Sequence, residues 1–191
     1  DPYERFRIGD GAGSWNADPA KRRLLAGSQF PAEAYDNYMK QQVPRWLATD
    51  EVIMAAYVAL VDKVCPCILL VHSQGGAFGF KVAEQRPDKV KAIVAIESAT
   101  AGNVGKAAAL KSTPTLMLFG DYVDQHPRWA TFKKIDMEYA EAVRASGGTV
   151  DWINLPDLGI KGNSHMLMQD QNNAESADVI QKWLIGKGVA D

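Results

Sequence analysis

The sequence predicts an α/β fold in which a mostly parallel β-sheet has helices on both of its faces. Short apolar segments alternate with segments of helical periodicity in the second half of the chain. Three of the four apolar segments are nearly continuous in apolar residues, a pattern typical of parallel strands buried on both sides. The 191 residues contain one such series and no internal repeat, so we expect all of them to belong to a single domain.

The chain before the predicted sheet is expected to be irregular at first and then helical. Residues 1 to about 30 are rich in Gly, Asp and Pro and are predicted to form a loop. Residues 30–64 are predicted to form helices, the second of them from Asp50 to about Lys63, in a segment that connects to the sheet or covers it like a lid. Four large side chains there either line an apolar substrate pocket or pack the helices: Tyr35, Tyr38, Met39 and Trp46.

Residues 65–191 are predicted to form the catalytic βα units. The strands are expected at 67–72, 90–96, 115–119 and 150–155. The helices are expected at 76–85, where Pro87 follows, at about 104–111, at about 129–143 and at 174–185.

Composition and charge exclude two classes of partner. The net charge is −2 and the basic residues are dispersed, so the sequence does not predict nucleic-acid binding. The longest apolar run, Val52 to Val61, is too short to span a bilayer and is typical of a buried helix.

The cysteines and histidines do not predict a metal site. Cys65 and Cys67 are separated by one proline, a span across which a disulfide is uncommon, so we expect two partly buried thiols. His72, His126 and His165 show no ligand spacing with the cysteines or with one another. We therefore expect neither a metal nor a cofactor.

Ser73 lies where a catalytic serine is often found. An apolar run ends at Ser73, and Gly75 and Gly76 follow before a helical pattern begins. A strand, a sharp turn and a helix with serine at the apex form the nucleophile elbow, whose full pattern is Gly-x-Ser-x-Gly. Here Val71 replaces the first glycine. The alternative is that Ser73 only caps the helix.

A catalytic serine needs a histidine to accept its proton and an acid to orient the histidine. His165 lies in the loop after the last predicted strand and is the expected base. The acid is open between Glu97, after the second strand, and Asp121 or Asp124, after the third. Position slightly favours the aspartates, whereas Glu97 ends a strongly apolar strand, where a carboxylate is costly without a partner.

Several segments carry a resemblance to a known family. The segments are His72-Ser73-Gln74-Gly75, Glu97 after its strand, Phe119-Gly120-Asp121, His126-Pro127-Arg128-Trp129, Ala145-Ser146-Gly147-Gly148 and Gly162-Asn163-Ser164-His165-Met166-Leu167-Met168-Gln169-Asp170. With these, and with Gln29–Pro31 and Val43–Leu47, the chain resembles a small group of bacterial serine esterases of the α/β-hydrolase fold. The resemblance implies a triad of Ser73, His165 and Glu97.

The same resemblance implies that the chain is the C-terminal half of an α/β-hydrolase domain. The complete sheet has about eight strands, and the sequence predicts the last four. The Gln74 backbone N–H is the expected oxyanion donor, and a second donor is expected from an early loop outside these residues. We therefore expect a missing N-terminal segment to complete the fold. Exported relatives favour a periplasmic or secreted location, and the group suggests a possible homodimer.

The predicted function is hydrolysis of a small-molecule carboxylic ester through an acyl-enzyme on Ser73. Two other functions remain open. Some proteins with this fold bind small molecules without turnover, and others cleave amide or carbon–carbon bonds or carry out perhydrolysis.

Overall fold

The computed structural model describes residues 1–43 and 48–190. The α-helices are α1 (Pro2–Arg5), α2 (Tyr35–Met39), α3 (Asp50–Val64), α4 (Gln74–Gln85), α5 (Pro127–Ala145) and α6 (Asn173–Gly186). The strands are β1 (Cys67–His72), β2 (Val90–Ile96), β3 (Thr115–Phe119) and β4 (Val150–Asn154). Short 3₁₀ helices lie at Pro19–Lys21, Ala32–Ala34, Val104–Leu110, Val123–Gln125 and Leu155–Leu158.

The strands form a sheet in the order β1-β2-β3-β4, and each neighbouring pair is parallel. This confirms the predicted parallel sheet. The register places His72 beside Ile96 and Ile96 beside Leu118. The residues that follow β1, β2 and β3 therefore leave the sheet at the same edge, where parallel strands present their carboxyl ends.

The central strands β2 and β3 are buried on both faces of the sheet. Successive side chains of β2 point to opposite sides. Ile93 and Ala95 face a core that includes Phe80 of α4 and Tyr139 of α5. The other face packs against α6 and the segments beside it, through Ala92, Val94, Ile96, Leu116, Leu118, Ile180 and Trp183. Helices thus cover both faces, as the sequence predicts.

The N-terminal segment is more ordered than the predicted loop. Residues 2–5 form α1, and Tyr3 and Ile8 are fully buried in a separate cluster with Phe30 and Tyr35. The Tyr3 and Tyr35 rings meet edge to face with centroids 4.8 Å apart. The sequence pattern did not predict this cluster because its members come from different turns and share no period.

The described part of residues 30–64 contains α2 and α3, with the 3₁₀ helix Ala32–Ala34 before α2. Tyr38 and Met39 pack against the cluster that contains Tyr35, which agrees with helix packing. The fourth side chain, Trp46, lies outside the described residues, as do Pro44, Arg45 and Leu47. The function of this segment as a lid stays a prediction.

The expectation of two free thiols is wrong, because Cys65 and Cys67 form a disulfide. Their Cα atoms are 4.4 Å apart, at the lower end of the range that a disulfide spans. The peptide bond between Cys65 and Pro66 is cis. Spacing along the chain did not reveal this pairing, because the distance depends on how the backbone turns between α3 and β1.

One side of the sheet is open. Among the described residues, β1 pairs with β2 on one edge and has no strand on the other. Leu70 of β1 is 60% exposed, and α3 also exposes Val52, Leu60 and Val64. We call these four residues the open apolar surface. None of the described helices is both long and apolar enough to cross a bilayer.

Candidate active site

Ser73 forms the sharp turn between β1 and α4. Its backbone is left-handed, with φ of 53°, a conformation that a residue with a side chain adopts at an energetic cost and that often occurs at functional sites. The side chain makes no capping hydrogen bond to α4. Instead, Ser73 Oγ lies 2.9 Å from His165 Nε2. Ser73 thus stands at the N-cap position of α4, but its side chain does not form the capping hydrogen bond that the alternative predicts.

Val71 fits two residues before Ser73 because α4 has a glycine opposite it. A Cβ atom on Gly79 would lie 2.6 Å from Val71 Cγ1, too close for two carbon atoms. The elbow pattern has glycine at the position of Val71. The valine side chain fits here because Gly79, which faces it from α4, has no side chain.

His165 is held by its own loop and by the N-terminal segment. Asp170 accepts hydrogen bonds from the Ser164 N–H and the Ser164 hydroxyl, both at 2.8 Å. The His165 N–H donates to the Phe6 carbonyl over 2.8 Å. The loop therefore presents a buried imidazole with a defined backbone position.

Aromatic rings restrict the orientation of the imidazole. The ring centroid of His165 lies 3.8 Å from that of Trp129, 4.5 Å from that of His72 and 5.3 Å from that of Phe6. His72 Nε2 also donates a hydrogen bond to the His165 carbonyl over 2.9 Å. His72 is thus a packing partner of His165.

Glu97 lies on the opposite side of the imidazole from Ser73. It is fully buried and left-handed, with φ of 40°, and its Oε2 is 2.7 Å from His165 Nδ1. Its Oε1 accepts a hydrogen bond from the Gly120 N–H over 2.9 Å. With His165 Nδ1–H donating to the carboxylate, Nε2 is left as the acceptor for a hydrogen bond from the Ser73 hydroxyl.

Asp121 and Asp124 are engaged elsewhere. Asp121 accepts hydrogen bonds from the Gly162 N–H over 3.0 Å and from the Tyr122 N–H over 2.8 Å. Asp124 is exposed and forms an ion pair with Lys133 over 2.7 Å. Of the three candidate acids, the structure brings Glu97 to His165.

Sequence reasoning missed Arg7. This residue lies in the predicted loop, but its side chain is 1% exposed and forms an ion pair with Glu97 Oε1. Its Nε donates to the Asp121 carbonyl over 2.9 Å, and the guanidinium lies 5.3 Å from the Trp129 ring centroid. A buried Glu97 predicts that some cation is near. The sequence does not indicate which of the 21 Lys and Arg residues it is.

Burial and charge act in opposite directions on the acid and the base. Burial by itself would raise the pKa of Glu97, but the Arg7 charge and the His165 hydrogen bond outweigh it and lower that pKa to about 2. Burial lowers the pKa of His165 to about 4, although the hydrogen bond that His165 donates to Glu97 raises it in part. The resting site therefore holds a carboxylate and a neutral imidazole at neutral pH.

Gln74 is the first residue of α4, and the first N–H groups of a helix have no acceptor within it. A groove of about 250 Å³ begins beside Gln74. Phe78 of α4 and Phe132 of α5 make part of its lining apolar, and Lys81 and Arg128 are cationic. The remaining lining residues are Asp50, Gln74, Ala77, Ala99 and Thr100. In the part of the chain that the structure describes, no three metal-binding side chains cluster.

The solved structures and curated proteins that are similar to this chain include the following three. A bacterial esterase described as novel is 34% identical and covers 98% of this chain and 57% of its own, with a TM-score of 0.86. A predicted CIB-like hydrolase from Thermoplasma acidophilum is 15% identical over 71% of this chain and 61% of its own, with a TM-score of 0.47. A probable secreted lipase, phiG, from Fungal sp. (strain ATCC 74256) is 28% identical over 178 residues, 68% of this chain and 48% of its own length.

No protein-family model matches the chain. The chain spans about half the length of the curated relative and 57% of the bacterial esterase. The parallel sheet with helices on both faces, together with the superposition on the esterase, shows that the chain has the α/β-hydrolase fold.

Proposed function

We propose that this protein is a carboxylic ester hydrolase with Ser73 as nucleophile, His165 as general base and Glu97 as the acid that orients it. The observation that carries this proposal is the unbroken chain of contacts from Ser73 Oγ through His165 Nε2 and Nδ1 to Glu97 Oε2, at 2.9 and 2.7 Å. Three residues from three separate loops meet in the order and geometry of a hydrolase triad.

The geometry supports a two-step reaction. Ser73 Oγ attacks the ester carbonyl carbon while its proton passes to His165 Nε2, and the carbonyl oxygen becomes an oxyanion facing the Gln74 N–H. The imidazolium then donates that proton to the leaving alcohol, and an acyl-enzyme remains on Ser73. Water, deprotonated by His165, attacks the acyl carbon and releases the acid, which restores the Ser73 hydroxyl.

The comparisons support ester chemistry. The similar structure is of an esterase and the similar curated protein is a probable lipase, and both classes cleave carboxylic esters. The groove beside Gln74 is a suitable place for the acyl or alcohol portion of the substrate, because Phe78 and Phe132 give it apolar surface and Gln74, the residue after Ser73, also lines it.

We also propose that further strands complete the sheet at β1 and supply the second oxyanion donor. The unpaired edge of β1 and the open apolar surface support this, since an exposed strand edge readily pairs with another strand. Amide hydrogen exchange of the complete protein tests it. We expect the β1 amides that face away from β2 to be protected, and rapid exchange there would contradict the proposal.

An exported location is proposed for the same protein. The Cys65–Cys67 disulfide is typical of oxidising compartments, and the curated relative is described as secreted. Cell fractionation tests this, and a protein found only in the cytosol with reduced cysteines would contradict it.

The Ser73→Ala variant tests the catalytic proposal. We expect hydrolysis of p-nitrophenyl esters to fall by about 10⁴-fold or more. A fluorophosphonate probe should label Ser73 in the wild type and not in the variant. Ser112→Ala, at an exposed serine, is the matched control and should behave as the wild type. Turnover retained by Ser73→Ala would refute the nucleophile, and ligand binding without turnover in the wild type would favour a binding protein.

A further inference from the structure

We propose that Arg7 is a positioning residue of the triad, whose buried guanidinium fixes the Glu97 carboxylate in its ionised form with Oε2 directed at His165. This inference rests on the proposed function. It assigns a role in the reaction to the N-terminal segment Arg5-Phe6-Arg7, which the sequence pattern does not connect with the site.

The two oxygens of Glu97 have different partners. Oε1 accepts hydrogen bonds from Arg7 and from the Gly120 N–H, whereas Oε2 is left to face His165 Nδ1. Two donors on one oxygen fix the torsion of the carboxylate, so the other oxygen is presented in a defined direction. Gly120 permits this approach, since a Cβ atom there would lie 2.9 Å from Oε1.

Arg7 is itself held in place. Its Nε donates to the Asp121 carbonyl over 2.9 Å, and its Cζ lies over the Trp129 ring, 5.3 Å from the ring centroid. Its backbone is left-handed, with φ of 55°, like those of Ser73 and Glu97. Three residues of the site thus have backbone conformations that are costly unless the surrounding structure holds them.

The neighbours of Arg7 contact the base. The Phe6 carbonyl accepts the His165 N–H, and the Trp129 indole, which packs on His165, donates to the Arg5 carbonyl. The segment Arg5-Phe6-Arg7 therefore touches the acid through a side chain and the base through a backbone carbonyl. A shift of this segment would move Glu97 and His165 relative to each other.

The charge of Arg7 acts on both partners. It lowers the pKa of Glu97, which burial alone would raise, and so keeps the carboxylate ionised. Burial is the main cause that lowers the pKa of His165, and the Arg7 charge adds to it in the resting site. Other ionisable groups face the same site: His72 at the end of β1, Asp121 after β3, His126 before α5 and Asp170 in the His165 loop. Arg7 is the cation paired with the buried carboxylate.

The Arg7→Gln variant of the full chain tests the role through the pH profile of kcat/KM. Loss of the cation raises the pKa of Glu97 and of His165, and protonation of either one inactivates the triad. We expect the acid limb to move upward by about 1 to 3 pH units. Arg7→Lys keeps the positive charge but cannot bond to the Asp121 carbonyl and to Glu97 at the same time, as the planar guanidinium does. The acid limb of its pH profile should therefore stay near that of the wild type, while kcat falls. Arg23→Gln, at an exposed arginine paired with Asp10, is the control and should leave the profile unchanged.

A uniform loss of activity in Arg7→Gln with an unmoved acid limb would overturn the proposal, since a purely structural role predicts that result. If Arg7→Gln does not fold, the lysine variant decides, and a wild-type kcat in it would overturn the positioning role. An NMR titration of ¹⁵N-labelled histidines follows His165 without using activity and should show its titration moved to higher pH, since the opposing charge of Arg7 is gone. The Ser73→Ala variant separates the two proposals. If Ser73→Ala is inactive and the acid limb of the pH profile of Arg7→Gln does not move, only the role of Arg7 is refuted.

Discussion

Glu97 and His165 are 68 residues apart in the chain, yet Glu97 Oε2 lies 2.7 Å from His165 Nδ1. The contact decides the tautomer of the imidazole, because a carboxylate accepts only, so Nδ1 must carry a proton. Nε2 is then free to accept from Ser73 Oγ. Loss of this contact should therefore affect the reaction far more than it affects the binding of an ester.

Replacing Glu97 by Gln should lower kcat by about 10⁴-fold, because an amide can donate to Nδ1 and so favours the wrong tautomer. Asp121→Asn should cost less than about 10-fold, since the side chain of Asp121 bonds to the Gly162 and Tyr122 amides and not to His165. Steady-state kinetics on a p-nitrophenyl ester compares the two, with circular dichroism as the control for folding. A crippling Asp121→Asn together with an active Glu97→Gln would show that the acid is misassigned.

The pH profile should have its acid limb below the ordinary histidine range. The base must be neutral, and burial lowers the pKa of His165, so the neutral form persists to lower pH than in an exposed histidine. We expect kcat/KM to rise with pH and to reach its plateau below about 6.5. An inflection above that value would mean that the charge of Glu97 raises the pKa of His165 by more than burial lowers it.

Asp136 should make the protein less stable as the pH rises. It is fully buried on α5, its carboxyl oxygens have no well-formed hydrogen bond, and burial raises its pKa to about 8, although the Ala101 backbone partly opposes this. An unfolded aspartate titrates near 3.9, so unfolding releases a proton between that pH and about 8. Stability that is present at low pH is therefore lost across this window.

Asp136→Asn should remove this loss and raise Tm at pH 8 more than at pH 4. Asp178→Asn, at an exposed aspartate on α6, is the control and should leave the pH dependence of Tm unchanged. Thermal unfolding at several pH values measures both variants. Equal effects of Asp136→Asn at the two pH values would mean that the carboxyl is not protonated in the folded protein.

Gly79 and Val71 should be energetically coupled. Gly79→Ala places a Cβ atom 2.6 Å from Val71 Cγ1 and should cost about 1 to 3 kcal/mol of unfolding free energy. Adding Val71→Ala should recover part of that cost, which a double-mutant cycle measures by denaturant unfolding. Gly186→Ala, where a new Cβ has no neighbour within 4 Å, should instead be neutral or stabilising. Additive effects of Gly79→Ala and Val71→Ala would refute the close contact.

The sheet was predicted closely because buried parallel strands have a simple signature. A strand covered on both faces is apolar at nearly every position, so β1, β2 and β3 appear in the sequence as nearly continuous apolar runs, and their bounds agree with the structure. Helix ends were less accurate: α4 begins at Gln74 and not at Gly76. Tight turns are set by local backbone conformation, which a pattern of apolar residues does not describe.

The disulfide and the burial of Arg7 beside Glu97 were missed for a related reason. Cys65 and Cys67 are close because of the backbone path between them, and Arg7 is buried because it lies over the ends of β2 and β3. Neither fact has a periodic signature. An arginine in a Gly-rich loop looks solvent-exposed until its partner is known.

The sequence by itself determined the alternation of strands and helices, the serine at the end of β1 and the histidine in a loop after β4. These depend on local spacing and on the requirement that apolar segments be buried. Only the tertiary structure decided which carboxylate reaches His165 and which cation accompanies it. Glu97, Asp121 and Asp124 all follow strands that end at one edge of the sheet, and a difference of a few ångströms in their positions selects among them. Such distances result from the packing of segments remote in the chain, here residues 5–7 against the loops that follow β2, β3 and β4.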